Sequence, residues 1–435
     1  MGDLHIKISR STLDEGSVLE RAAFGRLEVS TGNRLLTLFL DRDEIDPSSQ
    51  LSTGPFVSGY HLAEWFAIHW WRLRWEPGSR YVNSSTYTWD LSHRMSDIGG
   101  GYLWPNIVFD CDGYLFEVVS SKTIDELAPI EYLGSDAVHV PASVWEDAID
   151  CFVTDVLSRL DEANLHDTEL HAIWHELSEE RSDAALTSFR RTEALLGFDV
   201  DEGNEAHIEA VLSDTNELGI DAVNELATGT GGTRTSASDI RSVSETAGFA
   251  ADPKDGVSLS PTDLPDVLQW GQVAAWRIGK QLAHFVRNQT GLSDGPVNNQ
   301  VLAGLAGTSP CAVENHEVSG PFTWVFAPGD TQGRIVLRSN WLTSRRFDMA
   351  RVVGDRVFSM TSCVSAEPLS PATSSYSYRQ KAQRSFAAEL LCPWHAIEDD
   401  FEEGFDDAVI ERVAAQFQVS ERVVENQLDN NQRYG

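Results

Sequence analysis

Residues 345–355 read Arg-Arg-Phe-Asp-Met-Ala-Arg-Val-Val-Gly-Asp, and residues 379–393 read Arg-Gln-Lys-Ala-Gln-Arg-Ser-Phe-Ala-Ala-Glu-Leu-Leu-Cys-Pro. The first stretch lies in an amphipathic pattern that predicts a helix over Ser344–Met360, with Phe347, Ala350, Val353 and Val357 as its apolar stripe. The second predicts a helix over Tyr378–Leu391, stopped by Pro393. Arg351 and Asp355 stand four apart, on one helix face, a spacing that allows an ion pair.

In order and spacing these segments resemble the signature segments of the ImmA/IrrE zinc peptidase family, where an Arg-Arg-Phe-x-x-Ala lead-in precedes His-Glu-x-x-His. Two further stretches agree with the resemblance: Phe386-Ala-Ala-Glu-Leu-Leu-Cys-Pro393, and Ala414-x-x-Phe417-x-Val419-Ser420-x-x-x-Val424-x-x-x-Leu428. The likeness is confined to 263–435 and implies a zincin-like domain there. In such a motif two histidines four apart bind one Zn²⁺, and the glutamate beside the first activates the metal-bound water. Laid on this sequence, the two histidine positions fall on Arg351 and Asp355, the glutamate on Val352, and the later acidic ligand near Gln380. A guanidinium cannot coordinate zinc and valine cannot take a proton. A lone carboxylate does not hold the ion. The expectation is a degenerate peptidase site at Arg351, Val352, Asp355 and Gln380, with no catalytic residue, metal or cofactor. Buried at that place, Arg351 would supply the positive charge that the metal supplies in relatives.

The rest of the chain sets bounds on partners. Its 435 residues suffice for several domains, and 41% hydrophobic content with 13 tryptophans indicates packed cores. The formal charge of −34 opposes contact with phosphate backbones, so direct nucleic-acid binding is disfavoured and basic protein partners, including basic regulators, are electrostatically favoured. Lysine occurs only at 7, 122, 254, 280 and 381, a bias that a salt-tolerant or GC-rich host also produces. No apolar run reaches the roughly 18–20 residues of a membrane span. Neither a secretory nor a myristoylation pattern is visible at the start, and the expected location is cytoplasmic. The cysteines at 111, 151, 311, 363 and 392 form no Cys-x-x-Cys pair and read as isolated, buried small hydrophobes.

The predicted architecture is α+β and multidomain. A mixed N-terminal domain spans 1–140, with strands Leu4–Ser9, Leu27–Ser30 and Leu35–Leu40, a turn at Thr31-Gly32-Asn33, and a hairpin of Ile107–Asp110 with Tyr114–Val119 around Asp112-Gly113. Between them Tyr60–Trp75 reads as one aromatic helix. A helical domain follows over 141–227: Pro141 to about Asp161, Thr168–Ser182, Ser188–Leu196 and Glu205–Ser213, with Gly197 and Gly219 as stops. The small, polar stretch 228–262 reads as a linker. The last block, 263–435, carries a helix over Asp266–Thr290 with Leu268, Ala275, Ile278, Leu282 and Phe285 inward. Strands Phe322–Phe326 and Arg334–Arg338 follow, and the chain ends in a helix-turn-helix-like pair, Asp407–Phe417 and Ser420–Leu428. The second of these helices presents Glu421, Glu425 and Asp429, which favours a structural or protein contact over DNA.

Other residues compete for a function. His171 and His175, with His166 and Glu179 near, have the best metal-like spacing, yet Leu170, Ile173, Trp174 and Leu177 form a core stripe that leaves them on a solvated flank. In the N-terminal block, Trp89, His93, Gly99, Gly100, Gly101 and Trp104 are candidate ligand-binding residues, since consecutive glycines let backbone N–H groups face a ligand. His61, Glu64 and His69 lie on the aromatic helix, whose tryptophans read more simply as core. Three functions remain open. The leading one is an inactive peptidase-like protein that binds a protein partner, in the phage-defence, toxin–antitoxin or mobile-element setting the resemblance suggests. The others are an activity of the N-terminal block on nucleic acid or nucleotides, and an atypical metallopeptidase.

Overall fold

In the computed structural model, residues 2–42, 51–78, 87–123, 128–229, 234–259, 271–292, 294–315, 317, 320–329, 332–361, 367–401 and 406–434 are described. The fold is α+β and divides into two units, Met1–Glu209 and Ala210–Gly435. No helix among the described residues is long and apolar enough to cross a membrane.

In the first unit, Leu4–Arg10 pairs antiparallel with Phe24–Thr31, which also pairs with Phe56–Ser58 and Arg34–Leu35. Leu4, Ile6 and Ile8 alternate inward while His5 and Lys7 face solvent, the period of a half-buried strand. A second sheet orders Ala137–Pro141, Leu115–Ser120 and Ile107–Cys111. Its hairpin turns on Gly113 at φ 101°, with Asp112 Oδ1 accepting from the Tyr114 and Leu115 amides. The helix Ala142–Glu162 buries Trp145, Ile149 and Phe152 in the same core as Leu4, Ile6 and Phe116. The boundary read at 140/141 therefore does not separate two cores: 1–140 and the helices up to 209 form one unit.

Two elements differ from the sequence reading here. Tyr60–Trp75 is not one helix but two, Gly59–Ile68 and Trp70–Trp75, broken at His69, whose Nδ1 lies 3.0 Å from Asp199 Oδ1. Leu35–Leu40 is likewise two short strands, Arg34–Leu35 and Phe39–Asp41, the second of which leaves for another small sheet with Leu51–Ser52 and Ile130–Tyr132.

The second unit carries a four-stranded antiparallel sheet ordered Phe249–Ala250, Arg334–Val336, Thr323–Phe326 and Leu369–Ala372. The described part of 228–262 is not linker. It folds into the helix Ala237–Ala247, capped by Ser236 and Asp239, and then supplies the edge strand Phe249–Ala250. Ala237 and Ile240 enter a core with Val223, Leu226, Trp324 and Leu369, and the Trp324 indole donates to Ser244 Oγ at 2.9 Å. Small polar residues suggested flexibility, but a capping box and two well-spaced apolar residues suffice for a short packed helix. The segment 210–227, read with the helical domain, belongs to this core too.

Three helices frame the remainder: Ala275–Gln289, Leu342–Thr361 and Tyr378–Leu391. The first starts nine residues later than the sequence pattern predicts, and Leu268 lies outside the described residues. Gly279 lets it approach the third, since a Cβ there would sit 2.4 Å from Ala382 O. Gly354 does the same for the second helix, where a Cβ would lie 2.7 Å from the Phe386 ring. The chain closes on Asp407–Phe417 and Glu421–Tyr434, joined through left-handed Gln418. The second of these runs past the expected end at Leu428.

Candidate functional site

The Arg-Arg pair at the head of the 342–361 helix is wholly buried and faces no carboxylate at hydrogen-bond distance. Arg345 donates to the carbonyls of Ala312, Val313, Glu317 and Ser339. Arg346 donates to the carbonyls of Val297 and Gln418 and to Asn299 Oδ1. A guanidinium with five fixed donors suits such carbonyl cages. These two side chains tie the helix start to three loops and so fix the register of everything after it.

One and a half turns later come the positions that matter. Arg351, Val352 and Asp355 are all buried, as is Gln380 on the facing helix. Arg351 and Gln380 meet: Nη2 donates to Gln380 Oε1 at 2.6 Å and to Thr373 O at 2.6 Å. The Gln380 amide is used fully, because Oε1 also accepts from Thr373 N and Nε2 donates to Pro371 O. Its helix and the Leu369–Ala372 strand are thereby pinned together.

The i, i+4 pair between Arg351 and Asp355 does not form. Asp355 takes instead a bidentate pair with Arg379, at 2.6 Å to Nε and 2.7 Å to Nη2, and a third bond from Gln383 Nε2 at 2.7 Å. A fork-to-fork pair satisfies a buried carboxylate better than a single extended contact along one helix. Arg351 reaches its nearest carboxylate, Asp348, only at 3.8 Å.

Two more acids close the cluster. Glu225, from the helix Ile220–Gly229, accepts from Ser377 Oγ at 2.6 and 2.8 Å. Glu367 lies 3.4 Å from Arg379 and accepts from the Asp221 and Ala222 amides. Burial pushes the Glu225, Glu367 and Asp348 carboxyls above their usual range, against the pull of Arg379 on the first two and of Arg351 on the third. Burial opposes the charge on Arg379 as well, but Asp355, Glu225 and Glu367 outweigh it and hold that guanidinium firmly protonated.

The place read as a degenerate peptidase site is thus a largely buried, densely hydrogen-bonded polar cluster. It holds two guanidiniums, four carboxylates and two glutamine amides. Arg379, Gln383, Glu225 and Glu367 were missed as members. A signal for Arg379 exists in hindsight: Asp355 sits among Val352, Val353 and Val357, and a buried acid in such company requires a cation from another element.

The other candidates separate. His171 turns to Thr168 Oγ1, 2.8 Å from its Nδ1, and lies 3.5 Å from Asp161, while His175 stands in solvent beside Glu179. The two do not face one another across a ligand site. Trp89 and His93 stack at 4.2 Å within the core, and the His93 ring contacts the Trp89 and Arg72 carbonyls. Burial pushes the His93 imidazole down, keeping it neutral. Gly99, Gly100 and Gly101 all have positive φ and form an exposed turn closed by Trp104 Nε1 on Gly99 O. Beneath Gly100 lies His61, 3.5 Å from Glu20, which also accepts from the Tyr102 hydroxyl. Glu20 is already engaged in capping its helix at Ser17, so this group reads as a brace for the turn.

Cys111 and Cys392 are buried as expected, with thiols pushed up to about 12 by desolvation. Cys151 and Cys311 are exposed instead, each on the solvent face of its helix, and Cys363 lies outside the described residues. No family model, curated protein or solved structure matches this chain.

Proposed function

We propose that this chain is a non-catalytic, peptidase-like regulatory protein whose former metal position is occupied by Arg351, and that it acts by binding a protein partner. The observation that carries the reading is the meeting of Arg351 with Gln380. In the resemblance, 351 is the first zinc-histidine position and 380 approximates the later acidic ligand. These two, far apart in sequence, come together at 2.6 Å, as ligands of one ion would. The cation there is now covalent, and its charge is offset by Asp348, Glu225 and Asp355.

Zinc would find neither an imidazole nor a thiolate among these groups. Arg351 and Gln380 are not ligands, and Asp355 is spent on Arg379 and Gln383. With Val352 unable to take a proton and Asp355 engaged by Arg379 and Gln383, this place lacks the base that the peptidase motif uses for hydrolysis. What such a scaffold retains is a shaped, acidic protein surface. The charge of −34 supports a basic partner, a DNA-binding regulator being one chemical type, and opposes direct contact with nucleic acid. A role in phage defence, toxin–antitoxin or mobile-element control belongs to the same reading and rests on the resemblance alone, while a cytoplasmic place rests on the absence of a secretory or membrane-span pattern in the sequence.

The test is activity and capture together. The purified chain, supplied with Zn²⁺, Mn²⁺ or Co²⁺, is expected to leave a quenched random-peptide library intact. From its native host it should retain a basic protein in stoichiometric, salt-sensitive fashion. Metal-dependent cleavage abolished by Asp355→Ala would overturn the reading and restore the atypical peptidase.

A further inference from the structure

A second polar cluster in the same unit plays no part in the network around Arg351. His284 comes from the helix Ala275–Gln289, Glu389 from the last turn of Tyr378–Leu391, and His395 from the short turn Trp394–Ala396 that follows Pro393. Each offers one ligand atom, and the three atoms lie within 4.8 Å of one another. Glu389 is nine residues beyond Gln380, about 13.5 Å along the helix at ~1.5 Å per residue, so the two places are distinct.

We propose that His284, Glu389 and His395 form a binding site for one divalent transition-metal ion of the zinc class. Two imidazoles and a carboxylate are the donor set that such a borderline cation prefers over magnesium or calcium, which favour all-oxygen shells. Three protein ligands leave a fourth tetrahedral position, here on the side where His395 meets solvent.

The geometry is that of a prepared site in two respects. First, the carboxylate is held. Glu389 is buried to 1% side-chain exposure; its Oε2 accepts from Gln427 Nε2 at 2.8 Å, and its Oε1 from the Trp394 amide at 3.2 Å. Gln427 is itself fixed by the Cys392 carbonyl at 2.8 Å. Oε1 is thus directed at His284 Nε2, 2.9 Å away. Second, one imidazole has an outer carboxylate. Asp294 Oδ1 lies 2.7 Å from His395 Nε2, the kind of partner that orients metal-bound histidines. The His284 and His395 rings, 5.4 Å apart and tilted by 37°, are not stacked on each other.

The other charged groups around Glu389 are accounted for. Lys280 is turned to Asn431 Oδ1 at 2.7 Å, and Arg287 donates to the carbonyls of Leu390 and Gly295. Hydrogen bonds from His284 and Gln427 outweigh burial and keep the Glu389 carboxyl below its usual range, so an anion awaits the cation. The ion would displace the proton that His284 Nε2 now points at Glu389.

The full chain, stripped with EDTA and freed of chelator, is titrated with Zn²⁺ by calorimetry, and with Co²⁺ by visible absorption. One equivalent is expected, with a Co²⁺ d–d band of four- or five-coordinate intensity. His284→Ala and His395→Ala should each lower affinity at least about 10-fold, and Asp294→Ala by about 10-fold as an outer partner. Both histidines are half-exposed, so these variants fold, as far-UV circular dichroism checks. Asp355→Ala should keep the equivalent. No binding by the parent chain, unchanged binding in both histidine variants, or loss of the ion in a folded Asp355→Ala chain would each overturn the assignment.

Discussion

Asp355→Asn isolates the bidentate pair at the centre of the buried polar cluster around Arg379. Asp355 has no exposed surface and takes three hydrogen bonds of 2.6–2.7 Å, two from Arg379 and one from Gln383. Asparagine keeps the shape but turns one acceptor into a donor aimed at a guanidinium. Arg379 would keep Glu367, at 3.4 Å, and the field of Glu225 as its anionic partners. Breaking one partner of a buried ion pair costs about 3–5 kcal/mol, a large share of the ~5–15 kcal/mol that holds a domain together. The chain has two units and need not unfold in one step, so the readout should be local. Hydrogen exchange on peptides covering 342–361 and 378–391 serves: at ~1.4 kcal/mol per tenfold, the slowest amides should exchange about 2 to 3.5 powers of ten faster. Peptides from 142–162 should not change. A paired Asp355→Leu with Arg379→Met should recover most of the loss, because an apolar pair of similar volume costs no desolvation. Unaltered protection in Asp355→Asn would refute the claim that this carboxylate is the anchor of the cluster.

Arg345→Met leaves four carbonyls without their donor and should cost about 3–5 kcal/mol in the second unit; Arg345→Lys, with one ammonium for four acceptors, should lose a good part of that too, both measurable by the same exchange. Gly279→Ala gains about 1 kcal/mol of helix propensity but drives a methyl to 2.4 Å from Ala382 O, so a net loss of ~1–3 kcal/mol is expected by urea titration; a gain would mean the two helices part easily. Glu225 has a folded pKa raised above its ordinary 4.5, so its contribution is full below about that pH and is lost as pH rises through the folded value. Glu225→Gln should then be more stable than the parent at pH 7, with the gap closing toward pH 4.5 in parallel melts. Equal stability at both pH values would show that Ser377 and Arg379 fully offset the burial.

Local patterning made the helices of this chain legible, and long-range pairing did not. Tyr378–Leu391 and Asp407–Phe417 fall where apolar spacing and caps put them, because those signals act within a few residues. The edge strands Phe249–Ala250 and Leu369–Ala372 carry no such signal: two to four residues, one of them Pro371, become strands only because Arg334–Val336 and Thr323–Phe326 are there to pair with. The linker reading failed for the same reason. Ile240 and Ser244 look inert until Trp324 arrives from eighty residues away.

The same distinction governs the site. Sequence spacing offered Arg351 to Asp355, the nearest cation on the same face. A helix-face pair is worth only tenths of a kcal/mol in water, and nothing compels it once another helix packs on top. In the folded unit the cheaper arrangement is the one that gives the buried Asp355 carboxylate three donors. Arg379 reaches Asp355 with two parallel bonds, and Arg351 is released to Thr373 O and Gln380. The Arg351 guanidinium is thus hydrogen-bonded to the Thr373 carbonyl and to Gln380, and makes no hydrogen bond to its helix neighbour Asp355. These bonds tie together the 342–361 helix, the end of the 369–372 strand and the 378–391 helix. Removing the Arg351 guanidinium should therefore show first in the hydrogen exchange of those three segments.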